Sequence, residues 1–146
     1  MVDVTARRGS HASPLRYPGG KATLAGFFEN AIAALGLDKP TYIEPYAGGA
    51  GAGLELLLKG VVSTVVINDL DPAIHACWKA MLKDSDAFLK LLEHTPLTID
   101  EWKDQREVYR RRHDADVDPL ALGFATFYLN RTSRSGVLGA GVIGGY

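Results

Sequence analysis

The sequence predicts an α/β fold built on a parallel sheet. Residues 41–46 (Thr-Tyr-Ile-Glu-Pro-Tyr) read as a short buried strand. A glycine-rich turn over residues 48–53 (Gly-Gly-Ala-Gly-Ala-Gly) leads into a helical run ending near residue 59. A second apolar run, residues 64–68, then ends on Asp69. Two strands joined by a helix pair in parallel, because the crossover helix returns the chain to the same end of the sheet.

Residues 14–20 are irregular, with two prolines and a Gly-Gly pair. Residues 21–35 then place Leu24, Phe27, Phe28, Ile32 and Leu35 at helical spacing, and Gly36 is a natural stop. After the second strand, Asp71 and Pro72 suit the N-cap and first position of a helix over residues 73–83. A further helix is expected over residues 85–93. Thr98 and Glu101 have the spacing of a capping box for a helix running to about residue 112. Asp118 and Pro119 open the last helix, residues 120–129, which is apolar on nearly every side and therefore expected to be buried. Residues 135–146 are too rich in glycine for a stable helix. Two strands make a poor sheet, so more are expected than the sequence clearly shows.

At 146 residues the chain is one domain by length, with 47% hydrophobic and 23% charged residues. Sixteen basic against seventeen acidic residues give a formal charge of −1, so bulk charge does not advertise nucleic-acid binding. A single cysteine, Cys77, rules out an internal disulfide and suits a reducing cytoplasm. It sits in an apolar helical run and reads as a buried, inert thiol. No apolar run reaches the ~18–20 residues of a membrane span. Residues 1–12 lack the apolar core of a signal peptide and read as a flexible tail. His11, His75, His94 and His113 have no metal-ligand spacing, so no metal site is expected.

Strand, glycine turn, helix, strand and acid is also the order that builds a nucleotide pocket: glycines admit a ligand to the backbone, and an acid after the next strand takes ribose hydroxyls. The turn fails the dinucleotide pattern G-x-G-x-x-G, because a start at Gly49 meets Leu54 and a start at Gly51 meets Leu56. It is no phosphate loop either, since Leu54 and Glu55 follow Gly53 where Lys and Ser/Thr are needed. A glycine turn without phosphate chemistry suits S-adenosylmethionine, which carries adenosine but no pyrophosphate. Glu44 would meet the cationic sulfonium or amino end, and Asp69 the ribose. By spacing alone, a tight turn flanked by two solvated acids fits equally well.

Four segments in order add to this: residues 14–21 (Pro-Leu-Arg-Tyr-Pro-Gly-Gly-Lys), 44–51 (Glu-Pro-Tyr-Ala-Gly-Gly-Ala-Gly), 68–71 (Asn-Asp-Leu-Asp) and 127–131 (Phe-Tyr-Leu-Asn-Arg). Together they closely resemble the Dam-type (D12 class) adenine-N6 DNA methyltransferases, over about residues 13–146. The resemblance implies a Rossmann-like, three-layer methyltransferase fold with a mainly parallel sheet, in which residues 84–134 begin a helical DNA-recognition insertion. It implies S-adenosylmethionine as cofactor, bound by Tyr17, Lys21, Glu44, Tyr46, Gly48 and Asp69. It implies double-stranded DNA as partner, met by Asn130, Arg131, Arg134 and Ser135. Lys21 at a helix start is mildly unfavourable for the helix dipole, which supports a functional lysine. The basic run 110–113 reads as an ordinary helix end, where cations are favourable anyway.

The family's catalytic Asp-Pro-Pro-Tyr motif orients the adenine amine and stacks on the flipped base, a task the weakly nucleophilic amine needs. This sequence has no Pro-Pro pair, and its two Asp-Pro steps are explained as helix caps. The expectation is therefore an incomplete form without a nameable catalytic residue, inactive alone. Two alternatives stand beside it: one half of a split enzyme whose second chain supplies the motif, or a non-catalytic S-adenosylmethionine-binding module.

Overall fold

The computed structural model describes residues 12–145; the tail expected over residues 1–12 lies outside them except for Ala12, as does Tyr146. Among the described residues six α-helices and two β-strands follow in the order α1 (Ala25–Ala34), β1 (Thr41–Glu44), α2 (Gly51–Leu58), β2 (Thr64–Ile67), α3 (Pro72–Lys83), α4 (Ser85–His94), α5 (Ile99–Arg110) and α6 (Pro119–Thr132). Short 3-10 turns occupy Lys21–Leu24 and Arg134–Gly136. The chain divides into two compact units, one comprising residues 12–14 and 20–67, the other residues 15–19 and 68–145.

In the first unit β1 and β2 pair in parallel, Thr41 opposite Thr64 through Glu44 opposite Ile67. The expected crossover is therefore present, as a two-stranded sheet among the described residues. One sheet face packs on the helices. Tyr42 meets Phe28 of α1 with ring centroids 5.5 Å apart, and Val65 lies against Gly53 of α2. The opposite face carries Ile43 and Val66, neighbours in register and exposed. The first expected helix begins as a 3-10 turn and becomes α-helical only at Ala25. It stops where foreseen, with Gly36 at φ +65°. β1 is two residues shorter than expected because the chain turns away at Pro45, which has no N–H for the ladder.

The second unit is helical. Asp71 caps α3 by accepting from Ala73 N at 2.9 Å, and Asp118 caps α6 by accepting from Ala121 N at 2.8 Å. The capping box of α5 is half realised. Thr98 Oγ1 accepts from Glu101 N at 3.2 Å, while Glu101 turns to Gln105 Nε2 at 2.6 Å. α6 is the buried helix the sequence predicts: Leu122, Phe124, Ala125, Thr126, Tyr128, Leu129 and Asn130 are all interior. It runs three residues beyond the expected end, to Thr132. Around it, Ala80, Phe88, Trp102 and Val142 complete an apolar core. Phe88 stacks edge-on against Phe124 and Phe127 at 5.8 and 5.4 Å. Gly123 sets the spacing of α3 and α6, because a Cβ there would stand 2.5 Å from the Ala76 carbonyl oxygen and 2.8 Å from Ala80 Cβ. The glycine-rich end is anchored by an antiparallel bridge between Ser133 and Val142.

Gly123→Leu is expected to separate α3 from α6 and lower stability by about 1–3 kcal/mol, the usual cost of overpacking a core. Chemical denaturation checks this; an unchanged midpoint would refute close packing at that position. Cys77 is fully buried, and desolvation pushes its thiol up to about 12. An aromatic disulfide reagent at pH 8 is expected to leave it unmodified until denaturant is added. Because the unfolded thiol ionises first, this contribution to stability is intact below the ordinary thiol range near ~8.5 and fades as pH rises toward the folded value.

Candidate cofactor and DNA sites

In the first unit the sequence-predicted residues converge on Glu44. This residue ends β1 and is 2% exposed. Its Oε2 accepts from the backbone N–H of Gly53 at 3.1 Å, in the first turn of α2, where the helix dipole favours an anion. Its Oε1 lies 3.1 Å from Lys21 Nζ, an ion pair without hydrogen-bond alignment, so this buried oxygen keeps an unused acceptor. Lys21 also donates to the backbone carbonyl of Tyr46. Tyr46 thus holds Lys21 through its main chain, and the residue is 72% exposed. Between them Gly48, at φ +48°, and Ala50, at φ +49°, turn the chain into α2. A hydrogen bond from Ala50 N to the Ala47 carbonyl, 2.6 Å long, closes the turn.

The turn's later glycines act through packing. A Cβ on Gly53 would stand 2.8 Å from Val65 Cγ1 and 3.0 Å from Glu44 Oε2. A Cβ on Gly51 would stand 2.9 Å from Ala22 Cβ in the 3-10 turn that starts at Lys21. In sequence the run reads as ligand-admitting; in the fold Gly51 and Gly53 are what let the Lys21 turn and Glu44 approach α2. The failed fingerprint registers were the available signal, since glycines out of phosphate register need another reason.

In the second unit Tyr17 and Asp69 are electrostatic neighbours. The Tyr17 hydroxyl is raised above its ordinary value by burial first, then by the negative charges of Asp69 and Asp71. Asp69 Oδ1 accepts from Asp71 N at 3.0 Å, which fixes the turn after β2. Tyr109, not singled out by sequence, belongs to the same group. Its hydroxyl is raised chiefly by burial and also feels Asp71 and Tyr17, while Arg112 lies over its ring at 4.7 Å. The other basic residues near that helix end are matched locally: Arg110 with Glu107 at 3.2 Å, and Arg111 with Asp114 at 3.2 Å and Asp116 at 2.7 Å. This agrees with an ordinary helix end.

Of the four DNA candidates, Arg131, Arg134 and Ser135 are exposed at the end of α6 and in the turn that follows. Ser135 is left-handed at φ +56°. Asn130 differs. It is 1% exposed, accepts from Arg16 N at 2.8 Å, and donates to the carbonyls of Arg16 at 2.7 Å and Gly136 at 2.9 Å. Its amide is engaged inside the protein, which corrects the expectation of a DNA contact from that side chain. An Asn beside exposed arginines reads as polar surface in sequence; only the fold reveals that α6 turns it inward.

Residues 17–145 match the family model of the D12 class N6 adenine-specific DNA methyltransferases, and the chain belongs to that family. It is 29% identical over 104 residues to a type II methyltransferase of Methanocaldococcus jannaschii, an alignment covering 66% of this chain and 36% of that protein. The chain thus spans about a third of that relative's length. No solved structure matches it. No helix among the described residues is long and apolar enough to cross a membrane.

Gly53→Val is expected to push Glu44 off the first turn of α2 and pry α2 from β2, costing about 1–3 kcal/mol. Thermal unfolding measures this, and wild-type stability in the variant would contradict the packing role.

Proposed function

We propose that this protein serves the methylation of adenine N6 in double-stranded DNA with S-adenosylmethionine as methyl donor. The observation that carries the reading is Glu44: a buried carboxylate with one oxygen lacking a hydrogen bond, paired with a partly exposed lysine. A buried acceptor left unused is costly. A cationic donor relieves that cost; the ammonium of S-adenosylmethionine is one, and its sulfonium adds positive charge without an N–H to donate. Lys21 suits its carboxylate, Gly48 the close approach of backbone, and Tyr46 an exposed ring for apolar contact. Tyr17 and Asp69 are assigned to the adenosine, with Asp69 accepting from ribose hydroxyls. When bound, the cofactor supplies a methyl group activated by the adjoining sulfonium. Arg131, Arg134 and Ser135 are assigned to DNA phosphates or base edges. Residues 84–134 are read as the start of a DNA-recognition insertion within a Rossmann-like domain, residues 13–146, and the setting as cytoplasmic. No catalytic residue is assigned.

A second reading, that another chain completes the enzyme, is favoured by the apolar sheet face of Ile43 and Val66, 64% and 45% exposed.

Calorimetric titration with S-adenosylmethionine tests the main reading. Saturable binding is expected, weakened at least tenfold, about 1.4 kcal/mol, by Glu44→Gln or Asp69→Ala; NAD should not bind. A folded protein that ignores S-adenosylmethionine would overturn the proposal. For DNA, Arg134→Ala is expected to weaken duplex binding across sequences and reduce the salt slope by roughly 0.9, the release of about one counterion. An unchanged slope would remove Arg134 from the interface.

A further inference from the structure

Asn130 does something that neither assigned site explains. Its amide uses both N–H donors and its carbonyl on three backbone groups, two of them on Arg16, 114 residues earlier in the chain. The orientation of the amide is unambiguous, because Arg16 N can only donate and the two carbonyls can only accept. Bonding both the N–H and the C=O of Arg16 holds that residue as a neighbouring strand would. The direction of the chain into Tyr17 is thereby fixed. The third bond grips the Gly136 carbonyl. Gly136 is left-handed at φ +72°, and a Cβ there would stand 2.6 Å from Arg16 Cβ and 2.8 Å from the Arg16 carbonyl oxygen. Residues 16 and 136 are therefore in backbone contact and strapped by one side chain. On either side of that strap stand Tyr17, and Arg134 with Ser135.

We propose that Asn130 is a positioning residue that locks the Arg16–Tyr17 backbone to the turn at residues 134–136, so that cofactor binding at Tyr17 and DNA binding at Arg134 and Ser135 are energetically coupled. The inference rests on the functional reading above. Asparagine is the side chain that fits: aspartate would set carboxylate oxygens against two carbonyls, and alanine would remove two part-buried bonds to Arg16 and one buried bond to the Gly136 carbonyl. The turn stores strain at Ser135, which is left-handed without being glycine, while Gly136 beside it adopts the same region without that cost. Such a turn keeps one shape only while its surroundings hold it. Occupying Tyr17 with cofactor immobilises Arg16, and through the amide it immobilises the Gly136 carbonyl.

Hydrogen exchange read by mass spectrometry tests this on the full chain, with and without saturating S-adenosylmethionine and with and without an adenine-containing duplex. In the wild type, S-adenosylmethionine is expected to slow exchange severalfold at residues 134–140, and the duplex to tighten S-adenosylmethionine binding severalfold. Asn130→Ala and Gly136→Ala should each abolish both effects. Gly136→Ala perturbs the strap from its other end, by pushing Arg16 off the turn and leaving α6 unaltered, and far-UV circular dichroism checks that each variant is folded. A purely structural role would raise exchange equally in both states and leave the cofactor-dependent difference intact. That result in a folded variant overturns the proposal, as does a wild type that binds S-adenosylmethionine without any change at residues 134–140. A wild type that does not bind S-adenosylmethionine at all sinks the functional reading instead, and with it the coupling.

Discussion

A buried carboxylate at the end of β1 constrains everything around it. Taking the charge of Glu44 out of water costs several kcal/mol unless donors and a counter-charge meet it. The first unit supplies them from three directions: the Gly53 N–H from α2, the Lys21 ammonium from the preceding 3-10 turn, and the field of a helix N-terminus. Each supplier sets a requirement of its own. Gly53 must lack a Cβ for the carboxylate and Val65 to fit. Gly51 must lack one for the Lys21 turn to approach. The chain must also reverse within residues 47–50, which places Gly48 and Ala50 in left-handed conformations. The glycine-rich sequence is the imprint of that one acid.

The second unit answers the same problem with neutral groups. Asn130 and Ser133 are buried polar residues in or beside α6, the most buried helix among the described residues, at 1% and 0% exposure. Asn130 is met by the backbone of Arg16 and Gly136, and Ser133 accepts from Trp102 Nε1 at 3.3 Å. Satisfied polar groups inside a core define one arrangement where apolar packing alone tolerates several. Here they tie irregular segments, residues 15–17 and 133–142, to a rigid helix. Loops that carry function keep a defined shape by such ties.

The sequence exposed the parts of this design that repeat locally. Strand–helix–strand order, the Asp-Pro caps of α3 and α6 and the burial of α6 follow from pattern and turn chemistry, and all are present. In sequence Lys21 and Glu44 read as separate cofactor residues, and the fold makes them a pair. What stayed hidden depends on residues far apart in the chain. The partner of Asn130 is 114 residues away, so an amide that clamps backbone looked like one that faces DNA. Tyr109 lies in a polar helix with no motif around it, and only the fold groups it with Asp71 and Tyr17. Helix ends shifted by a few residues where tertiary contacts, which periodicity does not encode, continued or cut them.

Stability alone does not account for Glu44. A buried ion pair adds little to folding, and an apolar residue of similar volume often serves as well or better. Glu44 caps α2 only through Gly53 N, a bond worth about 1 kcal/mol in an ordinary cap. Against this stand desolvation of the acid and a buried Oε1 without a hydrogen bond. An acid whose burial its partners offset only in part suits the binding role proposed for it. Lys21 supports the same conclusion. Its side chain is 35% exposed, so it neutralises the acid while staying partly open to solvent. An acid with a spare acceptor beside a partly exposed cation presents both charges that a zwitterionic amino-acid moiety requires.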